Sequence, residues 1–276
     1  MNGSRICRYG HFIESGSHAH RVPRTVRHLL VVASALAGCA VPGVLVPKGS
    51  MLQDLYLRGT PDVPIVALTF DDGPNGRCTG EVLDALAEVG APATFFVLGK
   101  NVDAGGNDDL LARMVREGHT IGLHGYHHEG RMMVVPGALR DELRDATRAV
   151  RAALDRAGMQ GPVPRLRFFR PPFGFLTSAT ADAAAGEGFA IVLWTVSVAD
   201  WQSGSTAPEI VDRVLERAAA GDVIVLHDGV RTHQRSRAAC SDRQVVPDVV
   251  RRLVPALAAR GLRVAPLAEV LRLPPP

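Results

Sequence analysis

From residue 62 onward, short apolar β-rich runs alternate with Ala/Leu/Arg stretches of helical period, and this alternation restricts the possible folds more than any other feature of the chain. It predicts strands at 65–70, 94–97, 120–123, 168–170, 191–196, 223–226 and 262–264. Helices are predicted at 81–88, 110–117, 139–157, 179–185, 208–219 and 247–259, each with apolar residues three and four apart. Strands separated by helices pair in parallel through crossovers, so the fold class is α/β, as an open doubly wound sheet or a barrel. The 276 residues, 46% of them hydrophobic, suffice for one large domain with a buried core, and no internal repeat or second domain is visible.

The formal charge of +3 is unevenly placed. Residues 1–38 carry five arginines against Glu14, a local excess of +4 that leaves −1 for the remainder. The folded part therefore gives no electrostatic reason to bind nucleic acid. Arg21, Arg24 and Arg27 precede the apolar run 29–37, which is too short to span a bilayer and reads as an export signal. Leu36-Ala37-Gly38-Cys39 resembles a bacterial lipobox, in which Cys39 would be lipidated; an ordinary secretory signal or an uncleaved anchor is the alternative. Residues 1–20 fit neither, which suggests a true start near Val22 or Val26. The expected division is an extension and signal at 1–39, a Pro/Gly-rich tether at 40–61, a catalytic domain at 62–271 and a tail at 272–276. Membrane contact is expected only through the signal or lipid, with the domain extracytoplasmic, at the cell surface or secreted. In an exported chain Cys78 and Cys240 form a candidate disulfide, with two unpaired small residues as the alternative.

The reactive residues sort to one edge of the predicted sheet. Asp71 and Asp72 follow the first strand, His124 and His128 the third, Arg170 the fourth, Asp200 the fifth, and His227 and Asp228 the sixth. Carboxyl ends of parallel strands are where α/β folds place their active sites. His124 and His128, four apart, can aim two imidazoles at one point, and Asp72 can add an oxygen ligand. Three protein ligands with an open position are the arrangement of a catalytic metal site, zinc above all. With Asp72 on a cation, Asp71 is left to accept a proton from water, with Arg170 as its charge-assisted partner.

Thr69-Phe70-Asp71-Asp72-Gly73-Pro74, His124-Gly125-Tyr126-His127-His128, Arg170-Pro171-Pro172-Phe173-Gly174, Asp200-Trp201 and Leu226-His227-Asp228 resemble, in order, the motifs of NodB-type polysaccharide deacetylases, carbohydrate esterase family 4. The resemblance runs over roughly 62–271 and implies a distorted (β/α) barrel of about seven strands. It implies Asp71 as general base and Asp72, His124 and His128 as ligands of a divalent metal, commonly zinc. It implies His227 as general acid with Asp200 raising its pKa, Arg170 supporting Asp71, and the Phe173 backbone N–H facing the oxyanion. Trp201 and Leu226 are the residues it places around the acetyl methyl. Two positions depart from the family pattern: Gly125 stands where Ser or Thr is usual, and Ser197 where Asp often occurs. The implied substrate is an N-acetylated glycan, peptidoglycan or chitin-like, acted on by a monomer. An acetylxylan O-deacetylase, a small-molecule amidohydrolase of the same fold, and a non-catalytic wall-binding lipoprotein are the alternatives.

Overall fold

The computed structural model describes the backbone of Val44–Leu45 and residues 55–159, 164–202, 204–229 and 243–274. The lipobox-like segment with Cys39, and Cys240, lie outside the described residues. The strands are β1 (Val44–Leu45), β2 (Leu55–Tyr56), β3 (Ile65–Asp71), β4 (Thr94–Val97), β5 (Thr120–Leu123), β6 (Phe168–Phe169), β7 (Leu176–Thr177), β8 (Ala190–Val192), β9 (Val196–Ser197), β10 (Val223–His227) and β11 (Arg263–Val264). Between them run α1 (Gly76–Val89), α2 (Gly99–Asp103), α3 (Asp108–Arg116), α4 (Pro136–Arg156), α5 (Ser178–Gly186), α6 (Ala207–Leu215), α7 (Val246–Ala259) and α8 (Leu267–Val270).

The main sheet runs β2-β8-β6-β5-β4-β3-β10-β9, with β11 on the start of β3, and all these pairings are parallel. The single strand expected at 191–196 is broken. Its first part, β8, pairs with β6, and its second part, β9, pairs with β10 on the other side of the sheet. The three residues between them, Leu193-Trp194-Thr195, thus join the two sides and curl the sheet into a distorted barrel. Residues 40–61 are not solely a tether, because β1 pairs with β7 and β2 with β8. Strands of two residues are too short to show a period, which is why the sequence hides them. Among the described residues no helix is long and apolar enough to cross a membrane.

Side-chain alternation divides the interior into two layers. On β3, Val66, Leu68 and Phe70 join the large cluster beneath the helices, while Ile65 and Ala67 belong to a second cluster with Phe96, Phe168, Val192 and Val223 inside the barrel. The second cluster also takes Leu267, Ala268 and Val270 of α8. All seven residues of β3 are buried, as expected for a parallel strand covered on both faces. Helix α4 starts with Pro136 and buries Leu139, Leu143, Ala146, Val150 and Ala153, one stripe at three- and four-residue spacing.

Candidate active site

Continuing the alternation of β3 past Ala67 puts Thr69 and Asp71 on the barrel-interior side, and both meet Arg170 just beyond β6. Arg170 is fully buried. Its Nη1 donates to Asp71 Oδ1 at 2.7 Å and to Thr69 Oγ1 at 2.8 Å. Its Nε and Nη2 donate to the carbonyls of Val192 and Leu193, at 3.1 and 3.0 Å, where β8 breaks off. Buried carbonyls that leave a ladder need a partner, and this guanidinium supplies it. One side chain therefore ties Asp71 to the joint of the barrel. Burial lowers the Arg170 pKa from its ordinary value, opposed by the charge and hydrogen bond of Asp71, and the guanidinium lies 4.0 Å from the Phe96 ring centre.

Asp72, His124 and His128 converge. His124 Nε2 and His128 Nε2 lie 3.6 and 3.5 Å from Asp72 Oδ1. One ligand atom from each of the three residues falls within 4.8 Å of the others, so the set could hold a metal ion. Two further observations fit a cation at this point. His124 Nδ1 lies 2.7 Å from the Arg170 carbonyl oxygen, so that nitrogen carries the proton and Nε2 presents its lone pair to the cluster. Burial also lowers the His124 pKa to about 3, which keeps the ring neutral and able to ligate. Asp72 and His128 both have left-handed backbone, φ 73° and 63°, uncommon for L-residues, although Asp and His take it more readily than most.

Opposite this group, His227 Nδ1 is 2.9 Å from Asp200 Oδ1, while the His227 backbone N–H donates to Asp200 Oδ2 at 2.8 Å. Burial disfavours the imidazolium, but the charge and hydrogen bond of Asp200, aided by Asp71 and Asp72, raise the His227 pKa to about 9. His227 and Asp71 are register partners on adjacent parallel strands. Trp201 sets its ring edge-on to His227 at 4.9 Å, and Phe173 packs in the same way on His128 at 4.7 Å. Phe173 is 55% and Trp201 48% exposed, high values for large apolar residues. Phe173 also has φ 59°, in the short turn Pro172–Gly174 at the rim of the cleft it lines.

A cleft of about 490 Å³ is lined by Asp71, Asp72, His124, His128, Phe173, Trp194, Ser197, Trp201, Val225, His227 and Arg243. Leu226 is corrected by the structure. His227 faces the cleft, so its neighbour on β10 must face away, and Leu226 is fully buried in the large cluster while Val225 faces the cleft. Trp194 was hidden inside a strand expected to be continuous, and Arg243 follows a stretch without period; neither carried a local signal. Two other histidines take structural parts: His119 Nδ1 accepts from the Ala93 N–H, and His127 pairs with Glu142. Cys78 is disulfide-bonded; its pairing with Cys240 stays a proposal, since Cys240 lies outside the described residues.

An arginine-held aspartate and an aspartate-held histidine, brought into one cleft with an Asp-His-His cluster at the strand carboxyl ends of a curled parallel sheet, are the constellation expected of a hydrolase of the (β/α)-barrel class. Residues 58–192 match the family model for polysaccharide deacetylases. A chitooligosaccharide deacetylase of Bradyrhizobium sp. (strain ANU 289) is 36% identical over 206 residues, covering 74% of this chain and 90% of the relative. A crystal structure of a peptidoglycan N-acetylglucosamine deacetylase, in complex with an N-hydroxybenzamide, superposes with TM-score 0.68 at 28% identity, over 80% of this chain and 94% of that one. A family 4 acetyl xylan esterase from Clostridium thermocellum, in complex with cobalt, gives TM-score 0.63 at 28% identity, over 76% and 93%. The chain belongs to the polysaccharide deacetylase family, carbohydrate esterase family 4.

Proposed function

We propose that this protein hydrolyses the acetamide of N-acetylglucosamine units in peptidoglycan or a chitin-like glycan, releasing acetate, outside the cytoplasm. The observation that carries the reading is the placing of Asp71 and His227, register partners on β3 and β10, in one cleft with the Asp72-His124-His128 cluster. Asp72, His124 and His128 would hold a divalent cation, with zinc favoured by the N₂O donor set, and the cation would supply Lewis-acid polarisation of the carbonyl. Asp71, oriented by Arg170, takes the proton of the attacking water. His227, held as imidazolium by Asp200, gives a proton to the leaving nitrogen, without which an amine is a poor leaving group. The Phe173 N–H faces the developing oxyanion, and Trp201 with Val225 walls the space for the acetyl methyl. The basic leader and lipobox-like residues support an exported enzyme held beside the wall.

Acetate release is to be measured on N-acetylglucosamine oligomers, peptidoglycan and acetylxylan. Turnover on the N-acetyl substrates, lost on chelation and regained with zinc, is expected. Binding without turnover in the zinc-loaded protein would sink the reading in favour of a wall-binding role, and turnover on acetylxylan alone would favour the esterase.

A pH prediction follows from the acid. His227 works protonated and Asp200 holds its pKa above the ordinary imidazole value, so kcat/KM is expected to fall on the alkaline side as pH rises through that raised pKa, with the cation on Asp72 offsetting part of the rise. Asp200→Asn removes the strongest influence raising that pKa, and the alkaline limb should move down by about 1–3 units. An unmoved limb in the kcat/KM profile of that variant would remove His227 from the acid's role.

A further inference from the structure

The metal-ligand loop carries a second departure from an ordinary backbone. Between His124 and His128 it passes through Gly125 at φ 87° and ends at His128 at φ 63°. Gly125 offers no side chain to tie the loop down, and a Cβ there would lie 2.7 Å from Met132 Cε. The loop's backbone polar groups are instead met from two helices. From α2, the N–H groups of Gly99 and Lys100 donate to the carbonyls of Gly125 and Tyr126, at 3.0 and 3.1 Å, and Lys100 Nζ donates to the His127 carbonyl at 3.0 Å. Gly99 is necessary for that approach, because a Cβ would meet the Tyr126 ring at 2.3 Å. From α4, Glu142 Oε2 accepts the backbone N–H groups of Tyr126 and His127, at 2.6 and 2.8 Å, while Oε1 lies 2.7 Å from His127 Nδ1. Its side chain is only 12% exposed.

We propose that Glu142 is the positioning residue of the metal site: its carboxylate, anchored on α4, holds residues 126–127 so that the loop presents His128 to Asp72 and His124. The inference rests on those three residues binding the cation. Three hydrogen bonds to one carboxylate fix the loop's middle, two of them to backbone that no substitution within the loop could replace. Residues behind metal ligands set ligand orientation and through it affinity.

The test is zinc affinity, measured by competition with a chromophoric chelator, together with circular dichroism and thermal unfolding of the metal-free protein. Glu142→Leu is expected to keep the metal-free fold and to weaken zinc by about 10–100-fold. Glu142→Gln, whose amide oxygen still accepts both backbone N–H groups, is expected to recover most of the loss. Should Glu142→Leu fail to fold, Glu142→Asp, whose carboxylate is one methylene short of reaching the two N–H groups, takes its place with the same expectation. A folded Leu or Asp variant that binds zinc within about twofold of the parent overturns the proposal, since even weak positioning partners cost more. Asp72→Ala and His128→Ala, measured alongside, separate the two readings. If they too retain zinc, the metal assignment has failed; if they lose it while the Glu142 variants do not, the positioning role alone has failed.

Discussion

Asp72→Ala and His124→Ala are expected to abolish zinc binding and acetate release together, whereas Asp71→Asn is expected to keep the metal and lose about 10²–10⁴-fold in kcat/KM. The contrast between adjacent residues follows from their environments. The Asp72 carboxylate lies 3.5–3.6 Å from two imidazole nitrogens, and the neutral His124 ring has its other nitrogen already committed to a carbonyl. Asp71 is bound instead by Arg170, at 2.7 Å, and stands in register with His227. Removing either ligand leaves too few donors for tight binding, while asparagine at 71 preserves shape and leaves nothing to accept a proton. Metal content by elemental analysis, set beside steady-state rates, reads both columns at once. A near-normal rate in Asp71→Asn would falsify its assignment as base, and full zinc occupancy in Asp72→Ala would dismantle the ligand set.

How far the sequence carried the fold depended on segment length. Strands 94–97 and 120–123 were legible as short apolar β-rich runs between helical segments, and the long helix near 139–157 because its length repeats the helical period several times over. The break between β8 and β9 was not. Residues 191–196 read as one apolar run, and nothing local distinguishes a continuous strand from one whose halves join opposite sides of a sheet. That break also concealed Trp194 as a cleft residue.

The site was legible for a different reason: residues placed at strand ends converge whenever the strands are parallel, so the order of motifs predicts their meeting. Asp71, Asp72, His124, His128, Trp201 and His227 all line one cleft, with Arg170 and Asp200 directly behind. Leu226 failed the same logic, because resemblance assigned a motif to the site as a block while strand alternation admits only every second residue. Glu142 lay beyond reach for want of any local mark. On an amphipathic helix rich in charge, one acid among many is identified only by what packs against it.

Arg170→Met is expected to destabilise the metal-free protein by about 3–5 kcal/mol, because it removes one partner of a buried ion pair and leaves Asp71 uncompensated. The guanidinium does more than neutralise a carboxylate, since it also donates to Thr69 Oγ1 and to the two carbonyls at the break between β8 and β9. The double variant Asp71→Asn/Arg170→Met separates these contributions. With both charges gone, the cost of a lone buried carboxylate disappears, and urea unfolding should show the double variant more stable than Arg170→Met alone. Recovery should stop short of the parent, because the carbonyls of Val192 and Leu193 remain without their donors, at about 1–3 kcal/mol for a buried acceptor left unmet. Complete recovery would mean that those two hydrogen bonds contribute nothing to holding the barrel's joint, and that Arg170 serves Asp71 alone.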